Sequence, residues 1–275
     1  MKKLNFYLFL LMPTLVLVIL EACQTNTLNK DPNSETGIPP AQPLSYEIIK
    51  IYPHDTTSYT QGLEWNNHIF LEGTGLEGKS IVHLLDSNMK TVGQKVKLDK
   101  SYFGEGTTLF KDKIYQLTWK NHKVFVYDAK SLKKINEIYW PYEGWGLTHN
   151  DTSLIVSTGQ SNIYIVDPIH FSIQRTLGVY NQYGYVSNIN ELEFANGQLY
   201  ANIYGSNEII VIDFQTGQVK NTIDFSNLLS KAGVSYDPLS IDAGYVLNGI
   251  AYQSQKNTFF ITGKCWPVLV EVKLR

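Results

Sequence analysis

From Leu44 to the C-terminus the chain is written in short apolar runs broken by turn-forming residues every 8 to 12 positions. That texture belongs to an all-β fold. Ile81-Val82-His83-Leu84-Leu85, Val124-Phe125-Val126-Tyr127, Ile163-Tyr164-Ile165-Val166 and Ile209-Ile210-Val211-Ile212 are such runs. Asn196-Gly197 between two of them is a strong two-residue hairpin turn. The run from Tyr46 to Tyr52 reads as a strand too, but it belongs to no following hairpin.

The pattern repeats. Phe103-Gly104-Glu105-Gly106-Thr107-Thr108-Leu109-Phe110 is a carboxylate before a glycine, then a strand; a turn at Lys111-Asp112 leads into a second strand ending at Trp119. Gly62, Gly106, Gly146 and Gly249, with Glu191 in the equivalent slot, stand 44, 40, 45 and 58 residues apart. An acidic residue follows each after 24, 22, 21, 22 and 22 residues: Asp86, Asp128, Asp167, Asp213 and Glu271. Near-constant inner spacing marks internal repeats. Four units supply four strands each, with the acidic residue expected at the turn after the third strand. The fifth supplies three, and the orphan strand Tyr46 to Tyr52 fills the missing place. The expected fold is an all-β, five-bladed β-propeller over 44–275, closed by an N-terminal strand so that no sheet edge is left open. The longest gap, 225–247, contains Asn227 to Gly233, a helical turn with a glycine stop, in an insertion that either overhangs the channel or packs on the surface.

In a propeller the innermost strands line the axis, so equivalent positions form rings. The position before each reference residue holds Gln61, Glu105, Trp145, Asn190 and Asn248, all polar or large where inner strands usually carry small residues. A second ring, at the ends of the second strands, holds Gly75, Trp119, Gly159 and Tyr204, with Lys264 on the same face by strand parity. Aromatic walls beside a carboxylate and an ammonium describe a small-molecule cavity. Taken singly, each aromatic is equally compatible with ordinary blade packing.

The N-terminus changes the picture of location. Met1-Lys2-Lys3, an apolar run over 4–20 and then Glu21-Ala22-Cys23 describe a signal peptide of lipoprotein type over 1–22. Cys23 is the expected lipidation site, and Glu21 departs from the residue usual in such a motif. Residues 23–43, rich in Asn, Thr and Pro, read as a flexible tether. The expectation is an exported monomer held at a bacterial cell envelope by its lipid anchor alone. Cys265 is the only other cysteine, so a lipidated Cys23 leaves no internal disulfide. A net charge of −2 without a basic stripe argues against nucleic acid. The six histidines are scattered without ligand spacing, so no metal and no cofactor are expected.

Tyr59-Thr60-Gln61-Gly62-Leu63, Phe103-Gly104-Glu105-Gly106, Gly144-Trp145-Gly146-Leu147, Asn190-Glu191-Leu192-Glu193-Phe194, Asn248-Gly249-Ile250-Ala251-Tyr252 and Thr262-Gly263-Lys264-Cys265-Trp266-Pro267 occur in this order. Together they resemble the plant and bacterial glutamine cyclotransferase family, the glutaminyl-peptide cyclotransferases, from Tyr46 to the end of the chain. The resemblance implies a five-bladed propeller, in agreement with the repeat count. It also implies an enzyme that converts the N-terminal glutamine of peptides and proteins to pyroglutamate and releases ammonia. Its site residues then fall on Tyr59, Gln61, Glu105, Trp119, Trp145, Asn190, Tyr204 and Lys264. Glu105 would move protons, Lys264 would steady an oxyanion or pair with Glu105, Gln61 and Asn190 would hold the amide and amine, and the aromatics would fold the side chain. Tyr59 stands where phenylalanine is common and Tyr204 where tryptophan is common. Two other readings stay open on the residues alone. Glu105, Asn190 and Asn248 are hard oxygen donors that suit a Ca²⁺-dependent, lactonase-like propeller hydrolase, and many propellers are non-catalytic binding scaffolds.

Overall fold

A computed structural model of the chain describes residues 37–235 and 244–275. The signal peptide expected over 1–22, Cys23 and the tether up to residue 36 lie outside the described residues. In chain order the elements are β1 (Gln42–Leu44) and β2 (Tyr46–Pro53), then blade I, made of β3 (Thr60–Asn66), β4 (Ile69–Thr74), β5 (Ile81–Leu85) and β6 (Thr91–Lys97). Blade II is β7 (Gly104–Phe110), β8 (Lys113–Thr118), β9 (Lys123–Asp128) and β10 (Lys134–Tyr139). Blade III is β11 (Leu147–His149), β12 (Leu154–Ser157), β13 (Asn162–Val166) and β14 (Ile173–Gly178). A small hairpin, β15 (Tyr180–Asn181) and β16 (Gly184–Tyr185), precedes blade IV, which is β17 (Ile189–Ala195), β18 (Gln198–Ile203), β19 (Glu208–Asp213) and β20 (Val219–Asp224). After the short helix α1 (Leu228–Lys231), blade V is β21 (Leu247–Gln253), β22 (Thr258–Gly263) and β23 (Val268–Leu274).

Each blade is an antiparallel meander, and β2 is the fourth strand of blade V, paired antiparallel with β23 from Tyr46↔Leu274 to Pro53↔Val268. The orphan strand therefore closes the circle as expected. The inner strands β3, β7, β11, β17 and β21 touch one another in that order and back to β3. One boundary shifts. The tether expected to reach residue 43 ends earlier, because Gln42–Leu44 forms β1, which runs parallel to β20 and extends blade IV.

The third strands read as apolar runs because both of their faces are covered by neighbouring blades. Successive residues feed opposite cores. Val124 and Val126 pack toward blade III while Phe125 and Tyr127 pack toward blade I. Ile209 and Val211 face blade V, whereas Ile210 and Ile212 face blade III. Among the described residues five apolar clusters result, one at each blade junction. α1 buries Leu228 and Leu229 in the junction of blades IV and V, so this part of the 225–247 insertion packs as a surface element, and residues 236–243 of it lie outside the described residues. Asn196 and Gly197 both take positive φ (52° and 75°), the two-residue turn that their sequence predicts.

The recurring acidic residue acts as expected in four blades. Asp86, Asp128, Asp167 and Asp213 each accept backbone N–H groups of the turn that follows the third strand. Glu271 does not. The fourth strand of blade V arrives from the N-terminus, so there is no hairpin turn for it to cap. It lies inside β23, buried, and accepts hydrogen bonds from Tyr52 Oη and Thr258 Oγ1, both at 2.9 Å. It ties the closing strand instead.

The reference glycines mark where inner strands meet edge to backbone. A Cβ on Gly106 would collide with Leu147 N, and one on Gly146 with Asn190 O. In blade IV the slot holds Glu191, whose side chain takes up the axis. Its Oε1 accepts Leu63 N–H (3.2 Å) and its Oε2 accepts Ile250 N–H (2.8 Å), joining blades I, IV and V. The sequence-equivalent exception is thus the bond across the axis.

Candidate active site

At the end of the propeller where the inner strands begin, a cavity of about 280 Å³ is lined by Tyr59, Gln61, Phe103, Glu105, Trp119, Trp145, Asn190, Tyr204 and Lys264. Eight of these nine residues are expected from the sequence. Their convergence depends on breaks in strand register. The ladders of β3, β7, β17 and β21 each shift at the ring position: between Thr60 and Gly62, Gly104 and Thr107, Ile189 and Leu192, and Leu247 and Ile250. Such bulges re-aim one side chain. Here they sit at Gln61, Glu105, Asn190 and Asn248.

Asn248 is brought to the ring but not to the cavity. It is fully buried behind Gln61, donating Nδ2–H to Thr60 O at 2.9 Å and to Gln61 Oε1 at 3.2 Å. A substrate-binding role is expected of it as a member of that ring; instead its donor end is committed to supporting Gln61, and its Oδ1, like that of Asn190, has no hydrogen-bond partner among the described residues. With Gln61 Oε1 occupied, Nε2 is the end Gln61 can offer. Asn190 differs in lining the cavity, and it brings there a buried Oδ1 with no hydrogen-bond partner among the described residues.

The wall is a closed belt. Phe103 meets Trp119 edge-on at 5.6 Å and Tyr59 edge-on at 6.1 Å. Lys264 Nζ lies 4.7 Å from the Tyr59 ring centre and 4.9 Å from that of Tyr204, a cation between two π faces. Tyr204 meets Trp145 edge-on at 5.7 Å. Glu143 Oε2 then accepts both Trp145 Nε1–H (3.1 Å) and Trp119 Nε1–H (2.9 Å), which brings the belt back to its start. The glycines of the second ring make space for it. A side chain at Gly75 would collide with the Phe103 ring, and one at Gly159 with the Trp145 indole. Gly244, near the end of the 225–247 insertion, passes beside the Tyr59 and Tyr204 hydroxyls.

Phe103 and Glu143 are the residues that neither ring counting nor the resemblance names as site members, and Tyr59 enters through the resemblance alone. A signal for both was present. Tyr59, Phe103 and Glu143 stand two positions before Gln61, Glu105 and Trp145, and residues two apart share a strand face.

Inside the belt Glu105 is 5 % exposed, with no hydrogen-bond donor to its carboxyl among the described residues. Burial pushes that carboxyl well above the usual glutamic-acid value; the Lys264 charge opposes the rise and the Glu143 charge adds to it. Lys264 is 2 % exposed, and burial brings its ammonium down to about 8, against the pull of Glu105. No ion pair within 4.0 Å joins the two among the described residues, so space remains between them for a ligand. Burial likewise raises the Tyr59 phenol, which stays neutral. The arrangement offers a proton-exchanging carboxyl, an acceptor at Asn190, and donors at Gln61 and Lys264 around an apolar slot. Among the described residues no group of three or more His, Cys, Asp or Glu side chains is set to hold a metal ion.

The glutamine cyclotransferase family model matches residues 15–274. A glutaminyl-peptide cyclotransferase of Arabidopsis thaliana is 36% identical over 231 residues, which is 83% of this chain and 71% of the plant protein. The crystal structure of Myxococcus xanthus glutaminyl cyclase superposes with a TM-score of 0.75 at 32% identity, covering 85% of this chain and 98% of that one.

Proposed function

This chain belongs to the glutamine cyclotransferase family, and from that premise we infer that its cavity turns the N-terminal glutamine of peptides and proteins into pyroglutamate. The observation that carries the inference is Glu105, a buried carboxyl with a raised proton affinity inside an aromatic belt that also holds an unpartnered acceptor and an ammonium.

The reaction forms one bond and breaks one. The substrate's neutral α-amine attacks its own side-chain Cδ, a C–N bond closes the five-membered ring, and the Cδ–NH₂ bond breaks. The amine loses one proton and the departing nitrogen gains one, so ammonia leaves and no other reactant is needed. A protein-terminal amine has a pKa near 8, so a useful neutral fraction exists near neutral pH. Ammonia is a poor leaving group until its nitrogen is protonated. In this reading Glu105 takes the proton from the attacking amine and returns it to the leaving nitrogen. A carboxyl raised toward the working pH suits both directions, and such a relay contributes about 10²–10⁴-fold.

The remaining groups divide the substrate between them. Asn190 Oδ1 accepts from the substrate's amine or amide N–H. Gln61 Nε2, steadied by Asn248, and Lys264 Nζ donate to the oxygen that gains charge as the amine attacks. Trp119, Trp145, Phe103, Tyr59 and Tyr204 hold the flexible side chain folded on itself. Nucleophile and electrophile already share one molecule, so the belt's task is to select the reactive conformer.

Export is part of the proposal. The basic start, the apolar run over 4–20 and Cys23 support a lipoprotein anchored at a bacterial cell envelope, with the domain acting as a monomer on polypeptides outside the cytoplasm. The functional test is ammonia release and mass loss from glutaminyl peptides, with and without a chelator. Chelator-independent turnover of peptides that begin with glutamine, and none of the same peptides acetylated at the α-amine, is the expected result. A purified, folded protein that releases no ammonia refutes the assignment.

A further inference from the structure

We propose that Glu143 is a positioning residue for this reaction: its Oε2 atom clasps the Trp119 and Trp145 indoles and closes the belt around the cavity. The inference rests on the cyclotransferase reading above. Glu143 fills the slot that carries an aromatic ring in blades I and II, Tyr59 and Phe103. Those rings continue the belt by edge contacts. In the loop between β10 and β11 a carboxylate does so by hydrogen bonds, at 2.9 Å to Trp119 Nε1 and 3.1 Å to Trp145 Nε1.

Two indoles from different blades, each only partly buried, are otherwise free to tilt. An indole has a single donor, so one acceptor shared by two of them fixes the angle of both planes at once. A charged acceptor makes each bond about twice as strong as a neutral one. Glu143 is 39% exposed on its side chain, and its other oxygen lies 4.0 Å from Lys120 Nζ. That ammonium sits 4.0 Å above the Trp119 ring and covers its outer face. Trp119 is thus held at its edge by Glu143 and at one face by Lys120, leaving its remaining surface to the cavity. Tilting either wall admits extended glutaminyl conformers, in which the amine cannot reach Cδ, and a 1 Å misplacement of this kind costs on the order of 10²-fold.

The clasp also carries charge toward the proton relay. Among the described residues the charged or titratable groups acting on Glu105 are Lys264 after β22 and Glu143 after β10, with the Tyr59 hydroxyl before β3 also coupled to it. Lys120 Nζ is the cation beside Glu143, at 4.0 Å from its Oε1. Removing the Glu143 charge while keeping its acceptor therefore leaves Lys264 less opposed and lowers the proton affinity of Glu105. The acid limb of kcat/KM moves to lower pH.

Three proteins decide it: wild type, Glu143→Gln and Glu143→Ala, compared by kcat and KM against pH on a glutaminyl peptide, by near-ultraviolet circular dichroism of the indoles, and by urea midpoint. The glutamine carbonyl still accepts from both indoles, so Glu143→Gln keeps its maximal kcat/KM within about threefold while its acid limb moves to lower pH. Glu143→Ala loses about tenfold or more, chiefly in kcat, and changes the indole dichroism, with the urea midpoint close to wild type. Wild-type kinetics and dichroism in Glu143→Ala overturn the clasp. A loss that glutamine does not restore and that follows the urea midpoint makes Glu143 merely structural. A wild-type protein inactive on glutaminyl peptides overturns the cyclotransferase reading instead, and the dichroism comparison still decides the clasp.

Discussion

Replacing Glu105 by glutamine separates the two things its burial does. The amide keeps the shape and sits in the same aromatic belt, but it cannot exchange a proton. If Glu105 is the relay, turnover falls by about 10²–10⁴-fold, which is about 2.7–5.5 kcal/mol on the barrier. Stability moves the other way. Glu105 is buried with no donor to its carboxyl among the described residues, and its proton affinity is well above the unfolded value. A carboxyl raised in this way contributes stability below its unfolded pKa, and that contribution is lost as pH rises through the folded pKa. The wild-type protein therefore carries a growing cost from about pH 4.3 upward, the unfolded glutamate value, and the amide does not. Glu105→Gln is expected to unfold at higher urea than wild type at pH 8, with the two midpoints converging near pH 4.3. Lys264, having lost the partner that holds its proton, becomes more easily deprotonated. Ammonia release at several pH values and urea titrations on the same preparations measure both effects. Turnover within tenfold of wild type refutes the relay, and a lower urea midpoint at pH 8 refutes the electrostatic account of the site.

Truncating Trp119 to Ala should lower kcat/KM far more than the urea midpoint, whereas Trp266→Ala should do the reverse, at about 3–5 kcal/mol of stability. Trp266 is 3 % exposed and belongs to the apolar cluster at the junction of blades IV and V, with Val268 and Leu247, whereas Trp119 lines the cavity; equal stability losses at both would void the belt. Global stability should fall as pH rises from about 4.3, because burial raises the carboxyls of Glu64, Glu191 and Glu193 as well as that of Glu105. His54, raised by Glu72 against the effect of burial, adds the same sign, while Glu72, held low by His54 and His83 against burial, loses its contribution only as pH falls through its own depressed value. Urea midpoints between pH 5 and pH 9 should flatten in Glu193→Gln, and an unchanged slope would contradict the assignment. Cys23→Ser should leave an unprocessed precursor or release the protein from membranes; unchanged processing and attachment would refute lipidation.

Much of this site was legible because a propeller turns equal spacing into equal position. Once the reference residues Gly62, Gly106, Gly146, Glu191 and Gly249 are aligned, Gln61, Glu105, Trp145 and Asn190 fall on one ring without any knowledge of contacts. The closing strand Tyr46–Pro53 follows from counting three strands in the last unit, since an open edge must find a partner. The family motifs lie at the same ring positions for the same reason.

What the repeat could not determine are the places where equivalent positions do different work. Asn248 shares a ring with Asn190, yet one is tied by its donor end behind Gln61 and the other lines the cavity. Glu271 keeps the spacing of the turn aspartates but bonds Tyr52 across 219 residues of chain. Glu191 breaks the glycine slot and joins backbone groups of two other blades, and Glu143 breaks an aromatic slot to hold two indoles. Spacing along the chain determined which residues could meet, because backbone geometry repeats from blade to blade. The tertiary structure alone decided which of them touch, because hydrogen bonds and strand bulges depend on side-chain shape and register between segments that the repeat treats as alike.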